Sequence, residues 1–263
     1  MMYSQPFDHI PIWVLFIGTI ALFIIAAEGG FRIGKYNISH REQTRKSQMN
    51  TIMGASLGLL AFFLAMTFNM AGSRFDARKK LVVDEANAIE TTYLRTKLLP
   101  EPFRTEFQDL LRKYVNVRAQ IQTVKMDTVR QIIVKSEELH NLLWLKTIDL
   151  IEKKPTPVVT VIFIKSLNQV FDLHGKRMTA ALFNRISPSI FLTLYFVAFM
   201  SMGMMGYQAG LTGIRNWISG FALMLAFSAV LMLVTDLERP HQKIFKVSQE
   251  LIMDLKTKVS KTP

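Results

Sequence analysis

The sequence predicts an all-α membrane protein: four transmembrane helices in two pairs, with a helical soluble domain inserted between the pairs. Three observations carry that prediction. Four stretches, Ile10–Ala27, Thr51–Ala71, Pro188–Ala209 and Trp217–Thr235, contain no Asp, Glu, Lys or Arg. A helix rises about 1.5 Å per residue and the hydrocarbon core is about 30 Å thick, so roughly 20 apolar residues span it. A chain of 263 residues is too short to bury four such helices inside a soluble fold. Between the pairs, residues 72–186 hold 20 of the 32 Lys and Arg and 13 of the 20 acids, the composition of a water-facing domain. No stretch alternates apolar and polar residues between turn signals as a strand would.

The first span reads as retained and not as a signal peptide. Residues 1–9 lack the basic region such a peptide needs, the apolar run is long, and Ala26-Ala27-Glu28 makes a poor cleavage site. Loop 28–50 leads to span two at 51–71, which completes an N-terminal pair over 1–71. The helical domain follows at 72–186. Its first helix continues directly from span two, with Val82, Ala86, Ile89 and Tyr93 at three-and-four spacing, and ends at Leu98-Leu-Pro-Glu-Pro102. A second helix carries Phe103, Phe107, Leu110, Tyr114 and Ile121. A third carries Val129, Ile132, Leu139, Leu142 and Ile151 and is broken by Pro155 and Pro157; a fourth runs from Val158 to Arg185. Ser187-Pro188 caps span three, loop 210–216 joins it to span four, and the C-terminal pair occupies 187–235. Residues 236–263 read as a basic tail.

Four spans put both termini and residues 72–186 on one side and the two hairpin loops on the other. Loop 28–50 carries Arg32, Lys35, Arg41, Arg45 and Lys46, which argues for that side being internal. Against it stand Arg74, Arg78, Lys79, Lys80, Arg177, Arg185, Arg239, Lys243 and Lys246, which crowd the membrane ends of the domain side. The larger positive charge places the domain and both termini in the cytoplasm. The net charge of +12 thus points to a lipid bilayer as partner, not to nucleic acid.

Enzyme signatures are absent. With no Cys, disulfides, thiolate metal sites and cysteine nucleophiles are excluded. His9, His40, His140, His174 and His241 show no metal-ligand spacing, and there is no phosphate-binding glycine loop or nucleophile elbow. No metal and no cofactor is expected. The Met-rich spans three and four read as adaptable packing. Gly54-Ala-Ser-Leu-Gly58 and the Gly206/Gly210 pair permit close helix approach, within a subunit in preference to between subunits. Asp84, Glu85 and Asn87 form a structural polar cluster that would tie the first domain helix to the segment after span four, with Arg239 as cationic partner.

Asp84-Glu85-Ala-Asn-Ala-Ile-Glu-Thr-Thr-Tyr-Leu-Arg95, Leu98-Leu-Pro-Glu-Pro102 and Arg112-Lys-Tyr114 resemble the signature of the bacterial bestrophin-like integral membrane family. Leu167-Asn-Gln-Val-Phe-Asp172, Gly206-Tyr-Gln-Ala-Gly210, Asp236-Leu-Glu-Arg-Pro240 and Val247-Ser-Gln249 fit it too. One departure is Thr91, where the family pattern suggests a smaller residue. The resemblance implies an inner-membrane protein related in arrangement to bestrophins, which are pentameric anion channels with the second span lining the pore. The acidic calcium clasp after the fourth span is not visible here, so calcium gating is not carried over.

On that footing the expected function is a homo-oligomeric ion channel for small anions. Phe62, Phe63, Met66 and Asn69 are the pore-lining candidates, the first three as an apolar constriction that gates by dewetting. Arg74, Arg78, Lys79 and Lys80 would form a basic mouth that concentrates anions, or serve only as topology determinants. The alternative is a non-conducting scaffold or sensor whose helical domain docks partners.

Overall fold

The structure, a computed structural model, describes residues 10–37, 43–122, 126–153, 157–239 and 250–261. His9, His40, Arg41, Pro155, Pro240, His241, Lys243, Lys246 and Val247-Ser-Gln249 therefore lie outside the described residues, as do the side chains of Arg45 and Lys46. The described residues form α1 (Ile12–Tyr36), α2 (Gln43–Thr96), α3 (Phe103–Ala119), a short 3-10 turn (Gln120–Gln122), α4 (Met126–Lys153), α5 (Pro157–Leu182), α6 (Pro188–Thr212), α7 (Trp217–Glu238) and α8 (Glu250–Lys261). Among them, four helices are long and apolar enough to cross a membrane: α1, α2 from Gln48, α6 and α7. The protein is an all-α, multi-pass membrane protein. It divides into two compact units, Met1–Phe75 with Arg185–Phe245 and Asp76–Asn184 with Lys246–Pro263.

In the first unit α1 continues well past Ala27, so most of the expected 28–50 loop is helix. Glu28 and Arg32 explain this locally: their side chains meet at 3.1 Å one turn apart and keep the polar end of the helix regular. The other ends follow local chemistry. Pro188 sits in the first turn of α6, where its missing N–H costs nothing. Gly213 takes the left-handed conformation (φ 69°) just past the end of that helix. Asn216 caps α7 by accepting from the Ser219 N–H at 3.3 Å.

The core of this unit interleaves Phe23 and Ala26 of α1, Leu60 and Leu64 of α2, Leu194, Ala198 and Met202 of α6, and Met224 and Leu231 of α7. A second cluster joins Ala71, Ile186, Phe191, Val234 and Leu237. Because lipid is as apolar as these side chains, close packing and interhelical hydrogen bonds must specify the arrangement. Both occur. Thr19 shares a 3.1 Å hydrogen bond with the Tyr195 hydroxyl, Ser201 donates to the Ser56 carbonyl at 3.1 Å, and Gln208 donates to Asn50 at 2.6 Å. A Cβ at Gly30, Gly34, Gly206 or Gly210 would collide with the backbone of the opposite helix, so these glycines set the α1–α6 spacing. Gly54 and Gly58 do not share this role. Nothing lies within 4 Å of a Cβ built at either, so of the two expected glycine pairs it is Gly206 and Gly210 that pack inside the subunit.

The second unit is an amphipathic helical bundle with a core of Val82, Ala86, Ile89 and Tyr93 from α2, Phe103, Phe107, Leu111 and Tyr114 from α3, Leu143 and Leu150 from α4, and Phe163, Leu167 and Val170 from α5. The spacing of three and four along each helix is what brings these residues to one side. α8 belongs to this core through Ile252, Leu255 and Val259. The 236–263 stretch, expected as a tail, thus contains a packed helix, whose apolar positions three and four apart give it a face to bury.

Candidate pore helix and basic mouth

Within the first unit α2 is held along one narrow edge. Leu60, Leu64, Thr67 and Ala71 are buried, stepping by four, three and four residues. The remaining circumference is largely uncovered: Phe62 is 63% and Met66 52% exposed, and Asn69 and Ser73 are exposed on the same side. Phe63 stands elsewhere. It is half-buried and packs into the unit's own core, meeting the Phe62 ring edge-on with centroids 6.1 Å apart. Of the four pore-lining candidates, then, Phe62, Met66 and Asn69 share an uncovered face and Phe63 turns inward.

The basic residues part company in a similar way. Arg74 reaches Glu238 on α7 at 3.6 Å. The buried Glu238 carboxylate also accepts the Ile186 N–H at 2.7 Å, and its carbonyl accepts from Arg185 at 3.3 Å. Asp236 and Arg239 are buried at the same end of α7. In the second unit Arg78 is half-buried and engaged, whereas Lys79 and Lys80 are exposed.

The Asp84, Glu85 and Asn87 cluster has one buried member. Asp84 is half-buried and Asn87 exposed, while Glu85 is fully buried. Its carboxylate accepts from the Tyr114 hydroxyl at 3.0 Å, from Arg118 through two nitrogens at 2.9 and 3.1 Å, and from Arg177. Burial opposes its ionisation, but the two guanidinium groups outweigh burial and hold its pKa at about 2. Arg118 and Arg177, not singled out as partners in the sequence, hold this carboxylate. A signal existed: Arg118 continues the apolar spacing Leu111, Tyr114 and Val115 on α3, and Arg177 extends Val170 and His174 on α5. A charge on a buried stripe requires a counter-charge.

The bestrophin-like domain model matches residues 20–252 of this chain. Among solved structures, the chain is similar to a bacterial bestrophin homologue from Klebsiella pneumoniae solved by Zn-SAD phasing, at 13% identity, with 95% of this chain and 97% of that chain covered and a TM-score of 0.67. A tryptophan-to-alanine variant of a Klebsiella pneumoniae bestrophin homologue gives 0.68 at the same identity and coverage. A third structure, described as a membrane protein variant, covers 94% of this chain and 97% of its own at 13% identity, with a TM-score of 0.66. No curated protein matches the chain.

Proposed function

Because the chain belongs to the bestrophin-like family, we propose that it forms a homo-oligomeric anion channel of the bacterial inner membrane, with α2 lining the pore and both termini and the helical unit in the cytoplasm. The observation that carries this reading is the uncovered face of α2. It combines bulky apolar side chains, Phe62 and Met66, with the exposed amide of Asn69. Lipid would accept the first two and penalise the third, whereas an axis shared by several subunits accepts all three. Phe62 and Met66 then form the narrow apolar gate and Asn69 a polar ring beside it. Lys79 and Lys80, free in solvent, supply the positive mouth.

Assembly has separate support in the helical unit. Leu142, Leu145, Ile148 and Ile151 step by threes along α4 and are all exposed, while Ile132, Leu143 and Leu150 of the same helix are buried. A water-facing helix with apolar residues on both sides needs a second partner surface, and a neighbouring copy supplies one. The test counts subunits by negative-stain imaging of the purified protein and measures chloride flux from reconstituted vesicles. A closed ring, five-membered on the family resemblance, with chloride flux supports the channel. Silent vesicles and an unclosed monomer or dimer would establish the scaffold reading instead.

A further inference from the structure

The first unit contains a cavity of about 440 Å³ between α1, α2, α6 and α7. Its walls are apolar, with Ile24, Met53, Leu57, Met205, Leu223 and Met224 among them, and its lining extends to Arg215 in the α6–α7 turn. The Arg215 guanidinium lies 3.8 Å from the Phe31 ring centroid and 4.3 Å from that of Trp217, and pairs with Glu28. Glu28 also takes Arg32 at 3.1 Å, so two guanidinium groups share one carboxylate. One positive charge is left in excess, and Lys35 adds another in the last turn of α1. Arg215 lines the cavity and its side chain remains 31% exposed, so it is reachable.

We propose that this cavity binds one anionic phospholipid, an acyl chain among the apolar walls and its phosphate at Arg215. The two halves of the site divide the work. Moving a chain from bilayer to cavity gains little, because the surrounding lipid is equally apolar; the cavity supplies shape. Selectivity comes from the head. A guanidinium already clamped between two aromatic rings loses little side-chain freedom on meeting a phosphate, and its planar donors suit phosphate oxygens. The excess positive charge makes an anionic headgroup the better fit over a zwitterionic one.

Gly220 provides the handle for a test. It lines the cavity, and a Cβ built there touches only the flexible end of Met205, at 3.8 Å. Gly220→Leu therefore fills the cavity from a helix that gains propensity by losing a glycine. The full-length protein in detergent is incubated with equal amounts of phosphatidylglycerol and phosphatidylcholine, and retained lipid is counted by native mass spectrometry. Wild-type protein is expected to retain one phosphatidylglycerol per subunit, Gly220→Leu several-fold less, and Arg215→Gln equal amounts of the two lipids. A parallel incubation with oleate separates phospholipid from free fatty acid. Equal retention by wild type and Gly220→Leu, absence of headgroup preference in wild type, or displacement of phosphatidylglycerol by oleate would each overturn the proposal.

Discussion

Glu85 on α2 and Arg118 on α3 form a fully buried two-point ion pair, with nitrogen–oxygen distances of 2.9 and 3.1 Å. Removing one partner strands the other without water or counter-charge. Glu85→Ala or Arg118→Ala is expected to cost the helical unit about 3–5 kcal/mol. Replacing Glu85, Arg118 and Arg177 together by Leu and Met should cost much less, because no charge is then left stranded. Melting temperatures of the purified variants separate the two cases.

Acid should loosen the same unit. Burial first, then the neighbouring Arg118, holds His140 at a pKa of about 4 and His174 at about 3, against an ordinary 6.5. His140 adds to the depression at His174, as does Arg177, while Glu85 opposes it at both rings. Folded values below the unfolded one mean that the neutral rings contribute stability fully present above pH 6.5 and lost as pH falls through 4 and then 3. Glu85 behaves in the same sense between its ordinary 4.5 and about 2. Melting temperature should therefore drop steadily from pH 6.5 to pH 4. A His140→Phe, His174→Gln double variant should show a flatter profile over that interval, and an unchanged slope would count against the assignment.

The glycines of the membrane unit should divide into two classes. A Cβ at Gly206 would collide with the Ala27 backbone and one at Gly210 with Phe31 and Lys35. Gly206→Ala should destabilise by about 1–3 kcal/mol, the usual cost of overpacking. Gly54→Ala and Gly58→Ala meet open space. They should leave the monomer's thermal stability unchanged or slightly raised, which a melting series in detergent reads directly.

If α2 lines a pore, its uncovered face sets the flux. Phe62→Ala and Met66→Ala should each raise chloride leak from vesicles several-fold, while Phe63→Ala, whose side chain packs inward, should cost stability instead. The double change Lys79→Glu, Lys80→Glu should shift the ion preference toward cations. Equal flux from wild type and the Phe62 and Met66 variants would remove these two residues from the gate.

Much of the fold was legible in the sequence, for reasons these residues make plain. Runs without a charge announce a membrane crossing by themselves, and the three-and-four spacing of Phe103, Phe107 and Tyr114 needs only one helix to be recognised. What depends on a second helix was harder to read. Phe62 and Phe63 are chemically identical neighbours, and only the packing of α1, α6 and α7 decides that one points out and the other in. Arg74 is as basic as Lys79, yet Glu238, far along the chain, claims it. Glu85 and Arg239 suggest a pair because both stretches leave the membrane on the same face, whereas the counter-charges on Glu85 are Arg118 of α3 and Arg177 of α5.

The burial of α8 in the helical unit carries a consequence for biogenesis. The unit's core is split across the chain, with Phe107 and Leu111 made early and Ile252 and Leu255 made only after α6 and α7. Synthesis proceeds from the N-terminus, so the two membrane helices between these parts emerge before the bundle has all its pieces. A chain truncated before Glu250 would carry all four spans while the α3 surface that α8 covers stayed bare. Completion of the helical unit's core therefore has to follow the synthesis of α8, after both membrane helices that precede it.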